Sequence, residues 1–249
     1  MKMILAMLLS FVCLASVITG ASEFGQVLHL SGQTFQLEGL KKTAIKGQDK
    51  LHYGQTILTK SESSLEIFID EGNTVKVSEN SSVVLGRKGV NKKKKGEILL
   101  QLNRGALRSS LKNLKKRSFV IKTPSLVAGV RGTDFIAQYD PETEDNAQLI
   151  AVLEGEVDTY QLKEDGEVDL LSLKKVSTTE EALFSKQGSF NSLSLMTPEK
   201  VKAYQKEFLF QAEALPKDSS QKGAEAEEGS QPPQKAKSEK SFEKSDFFV

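Results

Sequence analysis

SFVIKTPSLVAGVRGTDFIAQYD, residues 118–140, followed after a polar insert by AQLIAVLEGEVDTY, residues 147–160, decides how this chain folds. Ser125 to Val130 is a small, apolar run. It stops on Arg131-Gly132-Thr133 and restarts as an alternating segment with Phe135, Ala137 and Tyr139 on one face. Period-two alternation beside a glycine turn reads as strand, tight turn, strand. The insert Asp140 to Asn146 holds Pro141, four carboxylates and an asparagine, which is turn chemistry, and Gln148 to Glu154 is again strand-like until Gly155. Two hairpin-like units therefore flank one Arg-Gly-Thr turn.

The same pattern runs outward in both directions. Apolar residues alternate at Val27 and Leu30, Phe35 and Leu37, Ile57, Leu65-Ile67-Ile69, Val75 and Val77, Val83 and Leu85, and Ile98-Leu100-Leu102. Turn residues separate them at Ser31-Gly32, Gly47, Gly54, Glu71-Gly72-Asn73, Glu79-Asn80, Gly86, Gly96 and Asn103-Arg104-Gly105. One strand and one turn every ~8–12 residues predicts an all-β sandwich, barrel or solenoid. No run before Thr197 has a helical period, and no fixed-length repeat is visible. A last strand is expected at Glu181 to Phe184, before a turn at Gly188.

The ordered series of turns resembles the FecR-domain family. Its pieces here are Gly25-Gln26-Val27, Gly54-Gln55-Thr56-Ile57-Leu58-Thr59, Leu65 to Gly72, Thr123-Pro124, Val130-Arg131-Gly132-Thr133 with Phe135, and Glu154-Gly155-Glu156-Val157. The similarity covers residues 24–195 and departs from the family at Gln55, where an Asp is usual. The resemblance implies a stack of short strands, β-solenoid-like or jelly-roll-like, with the solenoid-like form expected. It also marks Thr123, Pro124, Arg131, Gly132, Thr133, Glu154 and Gly155 as a signature turn, for which a structural role is expected. Arg131 lies between apolar runs, so it is expected to be partly buried and structural, hydrogen-bonding free carbonyls at the strand turn or paired with Asp134 or Glu154; the competing reading is contact with a ligand carboxylate or phosphate.

Residues 1–21 have the parts of a secretory signal peptide: Lys2, an apolar run from Met3 to Ile18, and the small-residue exit Thr19-Gly20-Ala21. The apolar run is also near the lower limit for a membrane span, so a retained anchor is the competing reading. Cys13, the single cysteine, follows Val12 inside that run and does not fit a lipidation site. Lys+Arg total 34 and Asp+Glu 33, and cleavage would remove Lys2, leaving a neutral mature chain without thiols. Neutrality argues against a nucleic-acid partner. A periplasmic or secreted location is expected.

Lys92-Lys93-Lys94-Lys95, between Gly89 and Gly96, cannot be buried and is expected at a solvated hairpin tip. Its functional reading is an anionic contact, either an envelope polymer or a peripheral contact with lipid headgroups. A second basic cluster, Lys112, Lys115, Lys116 and Arg117, would strengthen that contact if it shared a face with the first.

Thr197 as N-cap, Pro198 at the first helical position and Glu199 in the first turn begin a helix. Val201, Tyr204, Phe208 and Ala212 continue it at helical spacing, Pro216 ends it, and the helix is expected over 197–215 as a cap on the β body. Residues 217–244 are mainly Lys, Glu, Ser, Gln, Ala, Gly and Pro with Phe242, and 217–249 is expected to be a disordered tail. That tail ends on Phe247-Phe248-Val249, a candidate docking peptide.

Catalytic and metal-binding patterns are missing from the sequence. His29 and His52 have no ligand partners at metal spacing, and the adjacent Asp70 and Glu71 sit at a turn that favours Asp for backbone reasons. No cofactor is expected. The resemblance points to regulators of iron uptake that join a cytoplasmic anti-sigma domain, a span and an outer sensing region. With one residue ahead of Lys2, no cytoplasmic part is expected here. The expectation is a stand-alone, non-enzymatic exported module that binds an envelope protein or polymer, or else a signalling accessory held by an uncleaved N-terminus.

Overall fold

The alternating runs become seventeen strands and one helix in the computed structural model, which describes residues 22–86, 97–115 and 117–211. The expected signal peptide at 1–21, the expected Lys92–Lys95 hairpin tip, Lys116, the expected end of the helix at 212–215 and the expected tail at 217–249 lie outside the described residues.

In chain order the strands are β1 (Glu23–Ser31), β2 (Thr34–Glu38), β3 (Lys41–Ala44), β4 (Lys50–His52), β5 (Thr56–Thr59), β6 (Ser64–Asp70), β7 (Asn73–Val77) and β8 (Ser82–Leu85). They continue as β9 (Glu97–Ser110), β10 (Ser118–Lys122), β11 (Leu126–Val130), β12 (Asp134–Tyr139) and β13 (Gln148–Glu154). The last are β14 (Glu156–Leu162), β15 (Val168–Ser177), β16 (Glu180–Phe184) and β17 (Phe190–Leu195), followed by the helix α1 (Pro198–Glu207).

All seventeen belong to one hydrogen-bonded sheet folded into two layers. The first layer runs β4-β1-β6-β7-β9-β12-β13-β16-β17. The second runs β3-β2-β5-β8-β9-β10-β11-β14-β15. Beyond the edge strands β3 and β4, strand numbers climb along both layers in the same direction. The chain thus lays successive hairpins alternately on one layer and the other, and the stack stays open at both ends. This is the solenoid-like form, not the jelly roll.

β9 belongs to both layers. Its first half pairs with β8 and, in parallel, with β10, while its second half pairs with β7 and β12. The crossing falls at Gly105, where φ is +92° and an added Cβ would stand 2.1 Å from Ser81 Oγ. Inward-facing residues shift phase there, from Ile98, Leu100 and Leu102 to Leu107 and Ser109. One extra residue in a period-two strand re-aims every later side chain, and here it keeps the core side facing the core. The Asn103-Arg104-Gly105 turn expected from sequence is therefore a bulge inside a continuous strand.

The core is one continuous apolar cluster between the layers, with Ile57, Val83, Leu85 and Leu100 from the second layer meeting Leu65, Ile67, Val75 and Phe135 from the first. Phe119 and Phe135 pack edge to face at 6.5 Å. Strands β3, β4 and β17 have weak or no alternation. Every residue of β3 and of β17 is exposed, because these are edges. β17 follows the strand expected to be last, and Lys41 and Lys42 on β3 blunt their edge.

Candidate functional site

Each end of β11 is held by a signature turn. At its start, Thr123 is buried, its Oγ1 accepts from Leu126 N at 3.0 Å, and it also hydrogen-bonds Gln148 Oε1. Gln148, itself buried, donates through Nε2 to Ser125 Oγ at 3.0 Å and to Ser185 O at 2.8 Å. Pro124 sits exposed on the outside of this turn. At the other end, buried Thr133 donates Oγ1–H to Glu156 O at 2.9 Å, and Leu111 N donates to Thr133 O at 3.0 Å. Gly155 has φ +91°, and a Cβ there would approach Gly132 O and Thr133 Oγ1 to 3.0 Å. The Arg-Gly-Thr and Glu-Gly turns thus lie against each other, and the second needs a residue without a side chain.

Arg131 is exposed where partial burial was expected, as is Glu154, and Arg108 donates Nε to Asp134 Oδ1 at 2.8 Å and Nη2 to Oδ2 at 2.6 Å. The turn projects Arg131 away from the core because β11 ends there and the chain reverses outward over Gly132. Gln55 replaces the usual Asp with an amide oxygen that accepts from His52 N at 2.9 Å, so the turn keeps its acceptor.

Two members of the second basic cluster are paired within the fold. Arg117 makes a two-pronged pair with Asp70, and Lys115 pairs with Glu71. Burial alone would raise the Asp70 carboxyl, but hydrogen bonds from Arg117 and Asn73 outweigh it and hold the group below the usual carboxylate range. These pairs tie the 111–117 loop to the β6–β7 turn, which explains both the acidic doublet and half of the basic cluster.

Sequence reasoning missed a row of charged residues on the outer face of the first layer. Glu66, Lys76, Arg108, Ile136, Ala151 and Glu181 are cross-strand neighbours in succession through β6, β7, β9, β12, β13 and β16. Alternation alone places them facing water. Instead Glu66 is 0% and Lys76 6% exposed, because residues 208–211 lie across them.

α1 starts as expected, with Thr197 Oγ1 accepting from Lys200 N and Pro198 in the first turn. It stops at Glu207, short of the expected 215. Phe208 then enters a cluster with Ile136, Ala151 and Met196, while Lys200 and Tyr204 reach Glu181. Burial, with Glu181 beside it, pushes the Tyr204 hydroxyl up to about 12. The Phe208–Gln211 strap is held by its backbone. Arg108 Nη1 donates to Phe208 O at 3.2 Å, Lys76 Nζ donates to Leu209 O, and Gln211 N donates to Glu66 Oε1 at 2.8 Å. Phe210 lies over the Arg108 guanidinium, 5.1 Å from ring centroid to Cζ. The available sequence signal was three charged outward positions on adjacent strands and a Phe-Leu-Phe segment after the helix.

Among the described residues, no group of three or more His, Cys, Asp and Glu is placed to hold a metal ion. His29 is half-buried in β1 as the cross-strand neighbour of Glu66, and His52 closes β4. Among the described residues, no helix is long and apolar enough to cross a membrane.

The fold and its turns define an open, two-layered stack of short strands. The FecR protein family model matches residues 55–158, from just before β5 into β14, and the chain carries a FecR domain there. The matched stretch contains Glu66, Lys76, Arg108 and Asp134, while α1 and the strap lie beyond it. A comparison with curated proteins found no match. Two solved structures of a "putative anti-sigma factor" from Parabacteroides distasonis ATCC 8503, at 1.65 and 2.50 Å, are similar with TM-scores of 0.47 and 14% identity. Each comparison covers 60% of this chain, and the chain spans 63% of the length of those structures.

Proposed function

We propose that this chain is a non-enzymatic, exported FecR-domain protein that acts as a binding or scaffold module of the cell envelope. The observation that carries the reading is how the first layer treats chain laid across it: charged side chains from three adjacent strands hold the backbone of Phe208–Gln211. That is binding chemistry. Two further features support it. The signature residues Thr123, Thr133 and Gly155 are committed to holding strands, and Lys2, the apolar run and Thr19-Gly20-Ala21 suit export.

A tagged full-length chain, purified from its native cells by fraction, tests this. The expected result is a mature amino terminus near Ser22, recovery outside the cytoplasm and an envelope component co-purifying in stoichiometric amount. An intact Met1 with cytoplasmic recovery overturns it. A second reading, a signalling accessory anchored by an uncleaved N-terminus, is favoured by the FecR match. It predicts an intact Met1 in the membrane fraction.

A further inference from the structure

We propose that the outer face over Glu66, Lys76 and Arg108 is a peptide site, filled in cis by Phe208–Gln211, that also takes an extended segment of another protein with aromatic residues two positions apart. The proposal deepens the binding-module reading and rests on it.

The geometry of the strap carries the inference. Arg108, Lys76 and Glu66 stand on β9, β7 and β6, so the strap crosses three adjacent strands. Adjacent strands are about 4.8 Å apart, which makes the crossing about 9.6 Å. Phe208 is the turn out of α1 (φ −100°, ψ 27°), and the three residue steps from 208 to 211 can reach about 10 Å when drawn out. The strand spacing therefore acts as a ruler for an extended peptide lying across it, and each rung offers a charged group to one backbone atom.

Two backbone carbonyls and one amide are read in this way, and these groups are the same in any sequence. Side-chain selection is confined to alternate positions. Phe208 is buried in the Ile136–Ala151–Met196 pocket and Phe210 rests on Arg108, while Leu209 between them is 58% exposed. A cover with only a packing role would be served at lower cost by apolar residues, since buried charges lose hydration. Charges aimed at a backbone are instead the means of holding a peptide whose sequence is largely free. The charged rungs Glu66, Lys76 and Arg108 lie within residues 55–158, while the strap and Met196 of the Phe208 pocket lie outside them.

The test uses the full chain and a fluorescent peptide of residues 206–213, KEFLFQAE. A tethered strap competes at millimolar effective concentration, so Phe208→Ala/Phe210→Ala should bind the peptide at least about tenfold more tightly than wild type. The peptide with its first Phe and its Leu exchanged should lose that binding. Equal affinity for both proteins, or no binding by the variant, overturns the proposal. Should the variant fail to fold, wild type answers by hydrogen exchange: millimolar peptide should speed exchange at 208–211 and leave β12 and β13 unchanged. Unchanged exchange at the strap overturns it equally. Failure in these experiments, with an envelope component still co-purifying with the full chain, removes this site and leaves the binding-module reading standing.

Discussion

Lys76→Met is the sharpest probe of the covered charged row. Lys76 Nζ stands 3.5 Å from Glu66 Oε1, with the two side chains 7% and 0% exposed. Methionine fills much of the lysine volume, so the change removes a charge and a donor and leaves little cavity. What remains is a Glu66 carboxylate without its buried cation and a Leu209 carbonyl without the Lys76 donor. Removing one member of a buried pair costs about 3–5 kcal/mol. The hydrogen bond that Glu66 keeps from Gln211 N places this case at the lower end, about 3 kcal/mol. For a domain of this size that is a loss of roughly 6–12 °C in Tm. Glu66→Gln/Lys76→Met should regain most of it, because the amide still accepts from Gln211 N and no buried charge is stranded; the cycle should show a coupling of about 2 kcal/mol. Urea and thermal unfolding of wild type, both single variants and the double variant measure this. A Lys76→Met protein melting within about a degree of wild type would refute the reasoning, since a pair worth that little is not buried.

Arg131→Ala, at an exposed position, should change stability by no more than about 1 kcal/mol in urea unfolding, the scale of a solvent-screened contact. Gly105→Ala should cost on the order of 3 kcal/mol, because φ is +92° and the new Cβ meets Ser81; a folded protein of wild-type stability would mean that β9 does not cross there. Burial pushes the Asp158 carboxyl up, Lys175 offsets this in part, and Oδ1 has no hydrogen-bond partner among the described residues. Asp158→Asn should therefore raise stability by on the order of 1 kcal/mol at pH 7, discounted for partial exposure, and the gain should shrink as pH falls and the wild-type carboxyl protonates. The raised Tyr204 pKa means that the folded protein holds this proton after the unfolded chain has released it. The stability it confers is full below pH 10 and is lost as pH rises through about 12, so Tyr204→Phe should flatten alkaline thermal melts over that window.

Period-two alternation was enough to make this an all-β chain, because a strand with one face on the core must alternate. Leu65-Ile67 and Ile98-Leu100-Leu102 were legible for that reason, and Thr197-Pro198 was legible because helix starts are written in local backbone chemistry. At Thr133 and Gly155 the hydrogen bond and the close approach belong to the turns themselves, so the turn residues were visible in the sequence. Edge strands were not legible: β3 and β17 bury nothing, so no alternation is imposed on them. The Gly105 bulge looked like a turn because both require a positive φ, and only the pairing of β9 with two layers separates them.

The charged row was beyond sequence for a deeper reason. Glu66, Lys76 and Arg108 occupy outward positions in strands that are otherwise ordinary, and a charge at such a position normally faces water. Their burial depends on a segment 100 to 145 residues further along the chain leaving its helix at Glu207 and lying down across them. Local pattern determines which side of a strand a residue faces. Only the tertiary structure decides what lies on that side, because the contact joins groups whose separation along the chain leaves no periodic trace.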